Sequence, residues 1–354
     1  MMLIEFRGTL IEEKEVSILK EIENYSNKKF KLVESIRIRS SMEFSEENNH
    51  ITGLGFFRCG LPNLPKKVIG LKHLSFLSLP HNNIQKVPEQ FFNLISLKNL
   101  ILGSNKISSL SKNLGNLEEL QILDIANNNL SLLPESIMNC ISLEELYIEN
   151  NQFEELPKVI KDLDSLKVLI VSKNPLRYLP DFIGEMKNLD SISADTCFLK
   201  ELPESIGNLR SLKRLYVDIN HLKSVPESIG NLKSLERLSL SNNEINELPE
   251  SIGNLESLKI LYLDENKIEK IPDSIGDLKS LEKLFLTNNR IQTIPESIGK
   301  LKNLTLLHID RNKIETLPSS ISNLSMLRYL KAKGNPLKSI PESITSLKLI
   351  HKSF

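Results

Sequence analysis

Residues 235–257 read LERLSLSNNEINELPESIGNLES, and the next 23 residues, from Leu258, read LKILYLDENKIEKIPDSIGDLKS. Leucine-like residues recur in both as L-x-x-L-x-L-x-x-N-x-L. The same phase starts at Ile51, Leu74, Leu97, Leu120, Leu143, Leu166, Leu189, Leu212, Leu235, Leu258, Leu281, Leu304 and Leu327, always 23 residues apart. A fixed period of this length is the signature of a solenoid, in which each unit stacks only on its neighbours. Such a fold offers an extended surface and not a single cleft.

With Leu235 as position 1, Leu235, Leu238 and Leu240 alternate with polar residues, the pattern of a short strand with one buried face. Ile245, Leu248, Ile252 and Leu255 supply the other inward side chains. One such unit cannot offset the entropy of ordering its own backbone, so stacking is obligatory.

Asparagine holds position 9 in eleven copies: Asn82, Asn105, Asn128, Asn151, Asn174, Asn220, Asn243, Asn266, Asn289, Asn312 and Asn335. The chain turns inward there, which strands backbone N–H and C=O groups away from water. A carboxamide both donates and accepts, so a ladder of asparagines can satisfy them within and between units. Cys59 and Cys197 replace it in the remaining two copies. Proline recurs at position 15 from Pro65 to Pro341, broken only by Ser111; it fixes φ where the outer segment begins as a turn or short helix. Glycine at position 19 (Gly207, Gly230, Gly253) is expected to ease the return to the next strand.

Composition narrows the function classes. The 45 basic and 45 acidic residues balance, so nucleic acid is not the expected partner. The sequence has no run of about 18 apolar residues to span a membrane. Met1-Met2-Leu3-Ile4-Glu5 lacks the apolar core of a signal peptide. Cys59, Cys140 and Cys197 fall far apart at inward positions, which points to unpaired thiols and a cytoplasmic protein. Specialised export is the alternative.

These repeats resemble the leucine-rich repeat family, in its 23-residue class with LPESIGNLxxLxxLxLxxNxI. Ras-suppressor-like and plant intracellular Ras-group-related repeat proteins, and similar bacterial and archaeal proteins, share the pattern. The resemblance covers roughly residues 51–349. It implies an α/β solenoid, a curved horseshoe with a parallel sheet on its concave face and protein ligands bound there. A small GTPase or a signalling phosphatase is the ligand class that the analogy suggests. The sequence carries no glycine-rich phosphate loop and no ligase domain after the repeats.

The chain thus divides into an N-terminal cap (1–50), the repeats (51–349) and a tail (350–354). Val16, Leu19 and Ile22 predict a short amphipathic helix within 12–26, and Val33, Ile36 and Ile38 echo a degenerate strand. Leu347, Leu349, Ile350 and Phe354 form an apolar end suited to weak end-to-end association.

Positions 2, 3, 5, 7 and 8 should face solvent on the strands, over a surface ~60 Å long. Position 2 alternates in sign through Glu144, Lys167, Asp190, Lys213, Glu236, Lys259 and Glu282, and reads as an ion ladder. Position 5 carries Tyr147, Ile170, Tyr216, Tyr262, Phe285 and His308, in a chain with thirteen Phe, six Tyr and no Trp. Exposed aromatics dominate binding hot spots. Beside them stand Arg214, Arg237 and Lys283 at position 3, and Asp195, Asp218, Asp264 and Asp310 at position 7. This face reads as aromatic between a basic and an acidic margin, able to orient a charged protein. Asp195 and Asp218 fall on adjacent strands but on an open face, with no Ser–His or Cys–His arrangement near them. The residues give no catalytic, cofactor or metal site, and the expected function is a non-enzymatic interaction scaffold. An exported effector or adhesion module is the alternative. Repeat seven, with Ala194 and Cys197 at core positions, is expected to be the weakest.

Overall fold

The computed structural model describes residues 2–347 and 349–354. It contains two compact units, Met1–Asn174 and Pro175–Phe354. Both are solenoids of 23-residue repeats built on one plan. Each repeat after the first contributes a three-residue strand at positions 3–5, as in Arg214–Tyr216, Arg237–Ser239 and Ile260–Tyr262. Strands pair in parallel in strict repeat register, Leu215 opposite Leu238 and Leu238 opposite Leu261. Position 8 then adopts a left-handed conformation throughout, as at Asn242 (φ 56) and Asn288 (φ 57). That turn sends the chain inward and brings position 9 beneath the strands.

Asn266 shows what the asparagine does. Its Nδ2 donates to the carbonyls of Leu240 (2.9 Å), Leu263 (3.2 Å) and Asp264 (3.2 Å), and its Oδ1 accepts from the Ile245 N–H (3.0 Å). Asn151 repeats the pattern in the first unit, with Ile125, Ile148, Glu149 and Leu130. Each carboxamide therefore ties its own turn to the preceding repeat. Leu238, Leu240, Ile245, Ile252 and Leu255 are fully buried around it.

Position 15 opens a five-residue 3-10 helix, such as Glu250–Asn254, from an extended Pro249 (φ −69, ψ 150). Where Ser111 interrupts the series, its Oγ accepts from the Asn113 N–H at 3.1 Å and caps the helix instead. The glycine at position 19 has a different role from the one expected. A Cβ on Gly253 would lie 2.4 Å from the Ser274 carbonyl oxygen, so the residue allows adjacent 3-10 helices to touch, and no positive φ is involved. The serines they meet, Ser251 and Ser274 among them, bury Oγ atoms that have no hydrogen-bond partner.

The first unit starts irregularly. Strands β1 (Leu3–Phe6) and β2 (Thr9–Glu12) form a hairpin that leads into helix α1 (Glu13–Ser26). Val16, Leu19 and Ile22 form the buried stripe of α1. Asn27, left-handed at φ 51, ends the helix. The following strand is β3 (Lys31–Leu32), earlier than the Val33–Ile38 pattern suggests; Ile36 is buried and Ile38 is exposed. It pairs with β4 (Ser41–Glu47), which runs antiparallel to β5 (His50–Phe56) through left-handed Asn48 and Asn49. Bulges interrupt that pairing, and the parallel ladder begins at β5 against Phe76–Ser78. At the other end, His351–Ser353 forms a further strand beside Tyr329–Lys331. Cys140 and Cys197 are buried and Cys59 is half-exposed; none of the three is in a disulfide. Burial pushes the Cys140 thiol up to about 12.

Candidate functional site

The strand geometry aligns position-5 side chains on successive strands. In the second unit, register places Tyr262 opposite Phe285 and Phe285 opposite His308. The Tyr262 and Phe285 rings stack at 4.7 Å with 15° between planes, and Phe285 meets His308 edge-on at 5.1 Å. All three are half-buried, as is Tyr216 further along the row. Burial lowers the His308 imidazole below its ordinary range, and the Lys331 cation adds to the effect. In the first unit, Ile170 is half-buried and the Tyr147 hydroxyl donates to Glu145 Oε2 at 2.6 Å. Burial, then the Glu145 carboxylate, pushes the Tyr147 phenol well above its ordinary range.

The basic margin divides into paired and unpaired cations. Arg214 Nη2 reaches Asp190 Oδ2 at 2.7 Å, beside Lys213 on Asp190 Oδ1 at 2.8 Å. Lys167–Glu144 (2.9 Å) and Lys259–Glu236 (3.0 Å) are further rungs of the position-2 row. Surface pairs of this kind contribute little stability. Arg237 and Lys283 have no carboxylate in ion-pair contact among the described residues. Arg237 also stands directly opposite Arg214 in the ladder, an arrangement that disfavours both charges.

The acidic margin is turned inward. Asp195 Oδ1 accepts from the Asp218 N–H (2.8 Å) and Asp218 Oδ1 from the Ser241 N–H (2.6 Å). Asp264 takes the Thr287 N–H (2.6 Å), and Asp310 takes the Lys333 N–H (2.8 Å). The cause lies one residue earlier. The position-6 carbonyl, which would otherwise receive this N–H, is taken by asparagine amides; Val217 O accepts from both Asn220 and Asn243. Burial raises the carboxyl pKa of Asp218 and Asp264, partly countered at Asp218 by the Ser239 hydroxyl and at Asp264 by the Thr287 backbone. These acids brace the scaffold by tying each strand to the next, and they keep their charge on the face they border.

Three features escaped the residue pattern. Lys331, Lys333 and Arg311 lie on the last repeats with no ion-pair partner among the described residues, at positions that carry no cation in most other repeats. Ile219 holds the left-handed position-8 conformation (φ 54) although it is β-branched, and it is 54% exposed. In the first unit, Glu12, Glu15 and His50 place ligand-type atoms within 4.8 Å of one another. Both oxygens of buried Glu15 are already engaged there, with the Ile51 N–H (2.6 Å) and with His50 Nδ1 (3.1 Å). The trio clips α1 to the start of β5.

The comparisons agree with this architecture. Family models described as leucine-rich repeat region match residues 89–174, 168–244 and 206–288, and one described as leucine rich repeat matches 279–337. The chain belongs to the leucine-rich repeat family. Among solved structures, a leucine-rich-repeat protein of Leptospira interrogans is 31% identical, with TM-score 0.73, over 84% of this chain and 81% of that one. The plant peptide hormone receptor RGFR1, solved in complex with RGF2, is 30% identical with TM-score 0.72; the match covers 92% of this chain and 53% of the receptor chain. An internalin of Listeria monocytogenes shares the fold at 22% identity and TM-score 0.76, over 95% of this chain and 94% of its own. No curated protein sequence matches. The family supplies protein-interaction scaffolds, and among the described residues no helix is long and apolar enough to cross a membrane.

Proposed function

We propose that this protein is a non-enzymatic scaffold that binds a protein ligand on the strand face of its second unit. The observation that carries the reading is the Tyr262–Phe285 stack, half-exposed on an open sheet and continued by His308. Aromatic side chains in such a setting offer large contact area at low entropic cost. The RGFR1–RGF2 complex supports it, since that receptor, 30% identical to this chain, is one solved with a bound partner. The resemblance to Ras-suppressor-like repeats supports an intracellular signalling role with a small GTPase or phosphatase as ligand. Three cysteines outside any disulfide fit a reducing cytoplasm.

Capture of partners from source-cell lysate, compared with a variant carrying Tyr216, Tyr262, Phe285 and His308 changed to Ala, tests the reading. A protein retained by the parent and lost by the variant is the expected result. Equal capture by both forms would move the site off this face.

A further inference from the structure

We infer that the ligand of this face is an acidic, extended polypeptide segment, with an apolar side chain on the Tyr262–Phe285 stack and carboxylates over Lys331 and Lys333. The inference rests on the face being the protein-binding surface. Its first basis is uncompensated charge. Arg237, Lys283, Lys331, Lys333 and Arg311 project from the strand side of the second unit with no ion-pair partner among the described residues. The excess is local to the last repeats, where Arg311, Lys331 and Lys333 stand against Asp310. Asp264 and Asp310 are held by backbone N–H groups, and Glu236 is held by Lys259. Glu265 accepts from Asn288 and, like Asp264, keeps its charge nearer the Tyr262–Phe285 stack than the last repeats.

The second basis is register. Tyr262, Phe285, His308 and Lys331 are consecutive position-5 residues on four paired strands. At ~4.8 Å per strand, the tyrosine and the lysine are ~14 Å apart, the reach of about four residues of extended chain laid across the sheet. Side chains four residues apart on an extended segment point to the same side. An apolar residue followed about four residues later by Asp or Glu would therefore meet the stack and the cations together. Steering by the same charges would hasten encounter.

Nucleic acid fits less well. Tyr262 and Phe285 stack on each other, so one face of each ring is closed to a base. The chain as a whole is formally neutral.

The test is selection of random linear peptides displayed against the purified full chain, followed by synthesis of an enriched peptide. The expected peptides carry an apolar residue and acidic residues about four positions apart. Binding should fall at least about tenfold in Lys331→Glu/Lys333→Glu, and should persist in Lys112→Glu, a charge reversal in a 3-10 helix of the first unit. Thermal melting of each variant would show that the fold is retained. Neutral or basic peptides lost on Phe285→Ala would overturn the charge inference and leave the face intact as the site. Acidic peptides indifferent to both Phe285→Ala and the lysine reversals would overturn the site itself. Absence of enrichment, or displacement of the peptide by a poly-uridine oligonucleotide bound equally well, would overturn the acidic-peptide inference.

Discussion

The two units share a frame and differ on their strand face. In the first, Tyr147 hydrogen-bonds to Glu145, and Asp124 is buried enough to raise its carboxyl pKa. Glu149 beside them buries an Oε2 with no hydrogen-bond partner, and its pKa is likewise raised by burial. In the second, the equivalent row stacks Tyr262 on Phe285 and continues into unpaired cations. Meanwhile Asn151 and Asn266 make the same four kinds of hydrogen bond in their respective units. The repeat thus fixes the interior and leaves positions 3, 5 and 7 to carry what distinguishes one stretch from another.

The largest effects should fall on the shared frame, and equally in both units. Asn151→Leu and Asn266→Leu would each remove one of two donors from three carbonyls and leave one buried N–H, of Leu130 or Ile245, without a partner. Each should cost about 3–5 kcal/mol, read as a lowered midpoint in urea unfolding. A loss confined to one unit would break the equivalence. On the strand face the units should part company. Phe285→Ala should weaken partner binding by about 2 kcal/mol, while Tyr147→Ala should leave it near the parent value, measured by titration calorimetry. Equal loss at both would spread the binding surface over the whole sheet.

Between adjacent 3-10 helices the contact geometry is again common to both units. Gly115 and Gly253 each face a serine carbonyl at 2.4 Å from an added Cβ. Gly115→Ala and Gly253→Ala should each destabilise by about 1–3 kcal/mol in the same urea assay. Ser251→Ala removes a buried hydroxyl without a partner and should be neutral or stabilising by up to about 1 kcal/mol. The smallest effect belongs to His308. Its folded pKa is lowered, so the unfolded chain binds the proton first. Stability should therefore decline as pH falls from the ordinary histidine range toward the folded value, and His308→Phe should flatten that decline in melts between about pH 7 and pH 5.

The repeat frame was legible because every core position recurs in phase, so leucine spacing and the asparagine at position 9 carry strand, turn and stacking at once. The position-5 row was legible for the same reason. The engagement of Asp218 and Asp264 by the next strand's N–H was not, because it follows from a carbonyl already taken by asparagine, a fact of three-dimensional saturation. Gly253 misled for a related reason: its value lies in a neighbour's carbonyl, which spacing alone does not reveal. The β1–β2 hairpin and β4 precede the first repeat at Ile51 and have no period to read. The Val16, Leu19 and Ile22 stripe marked α1 alone, and the left-handed Asn48–Asn49 pair that turns β4 onto β5 is the local feature that could have marked the antiparallel pair.

Ligand binding at the second unit's strand face is the proposal on which the rest depends. Its most direct test is the affinity of the captured partner for the parent and for Tyr262→Ala/Phe285→Ala, with both melting temperatures recorded. A loss of at least about tenfold with unchanged melting is expected. Unchanged affinity in a folded variant would contradict it.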